Sequence, residues 1–159
     1  MNPFSHLDSQ GRASVVDVSE KPETLREAVA RGSIWLAQET LEALRDQKIP
    51  KGDVLLVAKI AGIMAAKNCS SLIPLCHPLL LSNVDVGFEV NSEEGKIEIE
   101  SRVSTIGRTG AEMEALTAVT IAALAIYDMC KAVDKGMNIG EIQLISKKGG
   151  RSGTYQRAR

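Results

Sequence analysis

The most constraining stretch of the chain is an alternation between residues 84 and 103. Val84, Val86, Phe88 and Val90 alternate with Asp85, Gly87 and Glu89. Turn-forming residues follow from Asn91 to Gly95, and then Ile97, Ile99, Ser101 and Val103 alternate with Lys96, Glu98, Glu100 and Arg102. A period of two places each apolar set on one side of a pleated strand, so the stretch specifies an antiparallel hairpin with one buried face. That face needs a cover, and the remaining chain supplies helices. Gly107-Arg108-Thr109-Gly110 opens a long helix over about 111–133, dominated by good helix formers, with Gly136 as its stop. Asp53 is an N-cap for a second helix over 54–67, where Ala58, Ala61, Gly62, Ala65 and Ala66 permit close approach by another backbone.

Shorter elements complete the pattern. Residues 38–46 read as a surface helix, 139–146 as a strand and Ser14 to Val18 as a short strand. Residues 24–37 fit neither period, and Gly32 weakens a helix there. Pro74 and Pro78 hold Leu75-Cys76-His77 extended. Residues 1–13 read as a flexible tail, and the basic end GGRSGTYQRAR as flexible too. With no repeat and no linker, 14–159 form one domain of α+β class, with helices packed on one face of an antiparallel sheet.

Composition excludes several function classes. The 159 residues carry 19 basic and 20 acidic side chains, a formal charge of −1, where a general nucleic-acid binder has a basic excess. Aromatic residues are 3%, too sparse for a base-stacking platform. The charge is uneven, however: residues 89–100 hold five glutamates and one lysine, and residues 147–159 hold five basic residues and no acid. Three cysteines are too few for a disulfide scaffold and point to a reducing compartment. Residues 1–16 lack the apolar run of a signal peptide, and no stretch reaches the apolar length of a membrane span, 111–127 coming closest. The expected location is the cytoplasm.

Three groups of residues could carry chemistry. The long helix has Glu112 and Glu114 at its start, and Asp128 and Lys131 three apart, on one face, near its end. Glutamates at a helix start and a lysine at its end also complement the helix dipole, whereas Asp128 opposes it. Glu112 and Lys131 are separated by about 28 Å of helix, so two functional ends mean separate sites or one site shared between subunits. The second group is KNCSSLIPLCHPL, residues 67–79. Cys69, Cys76 and His77 match no zinc spacing, and adjacent Cys76 and His77 side chains diverge in an extended segment, so no metal site is expected. His77 on a rigid loop suits phosphate or carbonyl binding, and equally a structural hydrogen bond. The third group is the basic set Arg26, Lys51, Lys67, Lys131 and Lys147, each able to serve as a solvated surface charge or an anion contact. Lys51-Gly52 and Lys147-Lys148-Gly149-Gly150 allow backbone to approach an anion, although neither has Walker A spacing.

The segments LIPLCHPL (72–79), TGAEMEALTAV (109–119) and IYDMCKAVDKGM (126–137) resemble the MoaC family of cyclic pyranopterin monophosphate synthases, from molybdenum cofactor biosynthesis. VVDVSEK (15–21), AGIMAAK (61–67) and ISKKGGRSG (145–153) are similar to that family too, so the likeness spans nearly the whole chain. It implies a ferredoxin-like α+β fold and a lyase that rearranges a cyclised dihydro-GTP to cyclic pyranopterin monophosphate and releases pyrophosphate. It also implies a homohexamer, a trimer of dimers, with sites where subunits meet. No redox cofactor is implied. Magnesium on the substrate phosphates is compatible, although no dedicated carboxylate site for it is evident.

Carried over residue by residue, the resemblance puts the acid/base aspartate at Asp128, with Lys51 and Lys131 as the catalytic lysines. Leu75, Cys76 and His77 become substrate contacts, joined by Glu112, Met113 and Glu114 from a neighbouring subunit. Arg26, Lys67 and Lys147 face the phosphates. The chain departs from the usual pattern at Ala111, Arg108 and Cys69, where valine, lysine and threonine are common. A non-catalytic nucleotide-binding α+β module is the alternative.

Overall fold

A computed structural model describes residues 10–150 and 153–158. In chain order the elements are β1 (Thr24–Trp35), α1 (Gln38–Arg45), α2 (Val54–Lys67), α3 (Cys69–Leu72), β2 (Leu81–Asn91), β3 (Lys96–Gly107), α4 (Glu112–Cys130), β4 (Asn138–Lys148) and β5 (Tyr155–Gln156). One sheet runs β2-β3-β1-β4-β5, and each neighbouring pair is antiparallel. Helices lie between β1 and β2 and between β3 and β4, which gives the ferredoxin-like βαββαβ arrangement.

The hairpin forms in the register its alternation requires: Val84 faces Val103, Phe88 faces Ile99 and Val90 faces Ile97. Val86, Ile97, Ile99 and Val103 are buried, while Arg31, Glu100 and Arg102 form ion pairs on the sheet's other face. Ser101 sits among the buried set because its hydroxyl donates to the Ala115 carbonyl of α4 at 2.7 Å.

Residues 24–37, ambiguous in sequence, contain the central strand β1. Its alternation is blurred because β1 is buried on both faces, Val29 and Ser33 on one side and Ala28, Ala30 and Ile34 on the other. Gly32 belongs to that packing: a Cβ there would lie 2.6 Å from a Val119 methyl of α4. The small face of α2 serves the same purpose. A Cβ on Gly62 would stand 2.9 Å from the Ala118 carbonyl and 3.3 Å from Ala122 Cβ. Asp53 caps α2 by accepting from the Leu56 N–H at 3.0 Å.

Four expectations need correction. Ser14 to Val18 is not a strand: Asp17 accepts from the Ser19 N–H and the Lys21 N–H bonds to Val18, which turns the chain instead. The long helix stops at Cys130, before 133, where the Asp134 N–H takes the Cys130 carbonyl and the Asp134 carboxylate accepts from the Ala37 and Gly136 N–H groups. The C-terminal end is ordered at Tyr155–Gln156, which pairs with β4, and the Arg157 N–H donates to Ile145. α4 is long and apolar enough to cross a membrane by length and composition, yet more than half of it is buried in this fold, against α2, β1, β3 and β4. The tail expected over 1–13 falls outside the described residues up to residue 9, as do Arg151, Ser152 and Arg159.

Valine is a better helix former than glycine, so Gly62→Val isolates the contact between α2 and α4. We predict a loss of about 1–3 kcal/mol from overpacking, read from the urea midpoint; an unchanged midpoint would contradict the close approach.

Candidate active site

The two ends of α4 carry two separate groups of candidate side chains. At its N-terminal end, two cavities of about 330 Å³ and about 510 Å³ share Lys21, Thr109, Gly110 and Glu112 as a common wall. The smaller lies between the proline-bounded segment and the start of α4, so Leu75, Cys76 and His77 face the same space as Glu112, Met113 and Glu114. A single chain therefore joins these two segments.

Glu114 is 4% exposed. Burial pushes its carboxyl above the ordinary glutamate range, and the Glu112 charge adds to the effect. Burial also raises the Cys76 thiol, helped by Glu114. The Cys69 thiol behind it is pushed up to about 11 by burial, although a contact with Thr117 at 3.5 Å offsets part of the shift. These cysteines are protonated, poorly nucleophilic thiols.

The larger cavity is basic. Arg26 is nearly buried, and its guanidinium donates to the Gly107 and Arg108 carbonyls at 3.2 Å each, pinning the loop before α4 to the central strand. Gly149 and Gly150 have positive φ, +101° and +73°, and a Cβ on Gly150 would overlap the Arg26 guanidinium. Lys147 pairs with Glu112 at 2.7 Å across the mouth of the two cavities. Arg108 donates to the Ser19 carbonyl at 3.0 Å and lies 3.7 Å from Glu23.

At the far end of α4, Asp128 stands between two ammonium groups. Lys131 Nζ lies 2.6 Å from Oδ1 and Lys51 Nζ 3.3 Å from Oδ2. Lys51 also donates to the Asp128 main-chain carbonyl at 2.8 Å, satisfying an acceptor in the last turn of the helix. The unfavourable position of Asp128 on the helix dipole is thus offset. Hydrogen bonds from Lys131 and Lys51 hold the Asp128 carboxyl below its usual range, and Asp128 in turn raises Lys131. All three side chains are exposed. Glu112 and Asp128 are 16 residues apart on one helix, about 24 Å, so one chain does not bring the two groups together.

Lys67 stands apart from both, on a groove with Leu80, Ser82 and Asn83. The sequence reading gave no role to Lys21, Arg108 or Lys148, which line the basic cavity. The signals that could have found them are the glycines beside Arg108 and Lys148, and the VSEK segment that ends on Lys21. Among the described residues no three His, Cys, Asp or Glu side chains converge as a metal-binding group.

Glu114 offers a pH test. Its folded-state pKa is raised, so burial costs stability only where the unfolded chain would ionise it, above the ordinary glutamate value of 4.5. The penalty is absent below that pH and complete above the folded value. Glu114→Gln should therefore raise Tm relative to the parent at neutral pH and lose that advantage below about pH 4. A constant difference across this range in thermal melts would contradict the buried carboxyl.

Comparison with known proteins places this arrangement in a family. A model of the MoaC family matches residues 15–150. The chain is 58% identical over 154 residues to a cyclic pyranopterin monophosphate synthase of Thermoanaerobacter pseudethanolicus, covering 97% of this chain and 98% of the relative. It is 59% identical over 157 residues to the synthase of the same name from Thermomicrobium roseum, covering 99% and 95%. It is 58% identical over 158 residues to that of Chloroflexus aurantiacus, covering 99% and 97%. With the family model spanning most of the chain and relatives matching it almost end to end, the chain belongs to the MoaC family.

Proposed function

We propose that this chain converts (8S)-3′,8-cyclo-7,8-dihydroguanosine 5′-triphosphate to cyclic pyranopterin monophosphate with release of pyrophosphate, an early step of molybdenum cofactor biosynthesis. Full-length similarity to synthases of that name supports the reading. The single observation in the geometry that carries it is the Asp128 carboxylate held between the Lys51 and Lys131 ammonium groups. Opening and reclosing rings requires repeated proton transfer, and such a set can both deliver and accept protons. Asp128 raises Lys131, so Lys131 meets the substrate protonated. It acts first as an acid, and as a base only after passing that proton on.

The cleft at the other end of α4 binds the substrate. Leu75, Cys76, His77, Met113 and Glu114 hold the ring system, and buried Glu114, whose carboxyl is raised by burial, donates a hydrogen bond to a ring acceptor in its protonated form. Arg26 and Lys147 face the phosphates, where Lys147 exchanges its Glu112 partner for phosphate oxygens. Lys67 reaches the same phosphates only from a second copy of the chain, given its separate groove.

One reaction centre then needs the far end of α4 from a second copy, so the working form is a homo-oligomer. A hexamer built as a trimer of dimers satisfies this with every site shared between two chains. The reaction needs no redox cofactor and takes place in the cytoplasm, and the substrate phosphates are compatible with a magnesium counter-ion.

Incubation with the cyclised dihydro-GTP should yield pyrophosphate and the pterin product in equal amounts. Lys131→Ala should lower turnover at least about 100-fold, with an unchanged melting curve because its ion pair is exposed. Full turnover in that variant would remove Lys131 from the chemistry, and binding without product in the parent would favour a nucleotide-binding module.

A further inference from the structure

The wall shared by the two cavities holds one cation, Lys21. It is half-buried and sits on a fixed turn: its N–H bonds to the Val18 carbonyl at 3.0 Å, the Asp17 carboxylate caps Ser19, and Pro22 follows it. Of the other cations near this junction, Lys148 is exposed and lines only the larger cavity, and three have protein partners. Arg26 donates to two carbonyls, Arg108 to a carbonyl and toward Glu23, and Lys147 pairs with Glu112. Among the described residues, the Lys21 ammonium has no hydrogen bond or ion pair. A half-buried cation without a partner, facing a cleft, is organised for an incoming anion.

The cavities also order a nucleotide along the cleft. The smaller, with its carboxyl and apolar lining, accepts the ring system, and the larger, basic one accepts the polyphosphate. The atom group that joins ring and sugar to the outer phosphates is the α-phosphoryl, and it falls at the shared wall. We infer that Lys21 is a further catalytic residue, contacting the α-phosphoryl group of the substrate at the junction of the two cavities. The inference rests on the functional reading above. In the cyclising step a sugar hydroxyl oxygen attacks the α-phosphorus and gives its proton to a base. The bond from that phosphorus to the oxygen bridging the β-phosphate breaks, and its electron pair leaves with pyrophosphate. Lys21 stabilises the charge that builds on the α-phosphoryl and bridging oxygens, an effect made mainly in the transition state.

The test compares parent, Lys21→Met and Lys21→Arg for pyrophosphate release from the cyclised dihydro-GTP. With the parent active, Lys21→Met should lose about 100-fold in kcat, with KM changed far less and the melting curve unchanged, and Lys21→Arg should recover part of the loss. If Lys21→Met keeps kcat within about twofold of an active parent, the Lys21 assignment is overturned and the functional reading stands. A loss confined to KM overturns it too, since it would mark Lys21 as a binding contact alone. A parent that releases no pyrophosphate overturns both.

Discussion

The structure depends on how closely α4 can lie against its neighbours. Ala28, Ala30 and Gly32 on β1, and Ala58, Gly62 and Ala66 on α2, leave no bulky side chain between these backbones and the helix. Ala115, Ala118, Ala122 and Ala123 reciprocate from α4, each fully buried. The helix is therefore held along its length, and its ends are fixed points. Whatever chemistry the chain performs is organised around a rigid rod with one functional group at each end.

Each end is prepared for its own task by a different physical means. At the N-terminal end, burial pushes the Glu114 carboxyl above its ordinary range, while Arg26 fastens the loop before α4 to the central strand and the paired glycines leave its guanidinium room. Glu112 pairs with Lys147 there. At the C-terminal end the three charged side chains are exposed, and ion pairs and hydrogen bonds order them: two ammonium groups draw the Asp128 carboxylate down, and it holds Lys131 protonated. A solvent-facing triad of this kind contributes little to folding, which leaves a functional explanation for it.

Much of this was legible in the residues. The period-two hairpin, the Asp53 cap and the small faces announced the sheet and its close helix packing, because each is a local rule that the tertiary structure leaves intact. β1 was illegible since a central strand buried on both faces loses its alternation, and the turn at residues 17–21 since its side-chain caps mimic no periodic pattern. The length of the helix sets the groups at its two ends apart on the rise per residue alone. The joining of 75–77 with 112–114 in one chain was not deducible, because it depends on how the segment after α3 folds back onto α4. Lys21 stayed hidden for a similar reason: its importance lies in having no partner within a cleft, a property that only packing creates.

The central claim is that one reaction centre draws on opposite ends of α4 in two chains. Mixed oligomers test it most directly. His77→Ala disables the cleft and Lys131→Ala the charged triad, so each variant alone should be inactive. If sites are shared, refolding the two together in equal amounts gives hybrid pairs in which one site is built wholly from intact ends, and about a quarter of parental activity should return. A mixture that stays as inactive as its components, despite forming hybrid oligomers, would show that each chain works alone and would contradict the account.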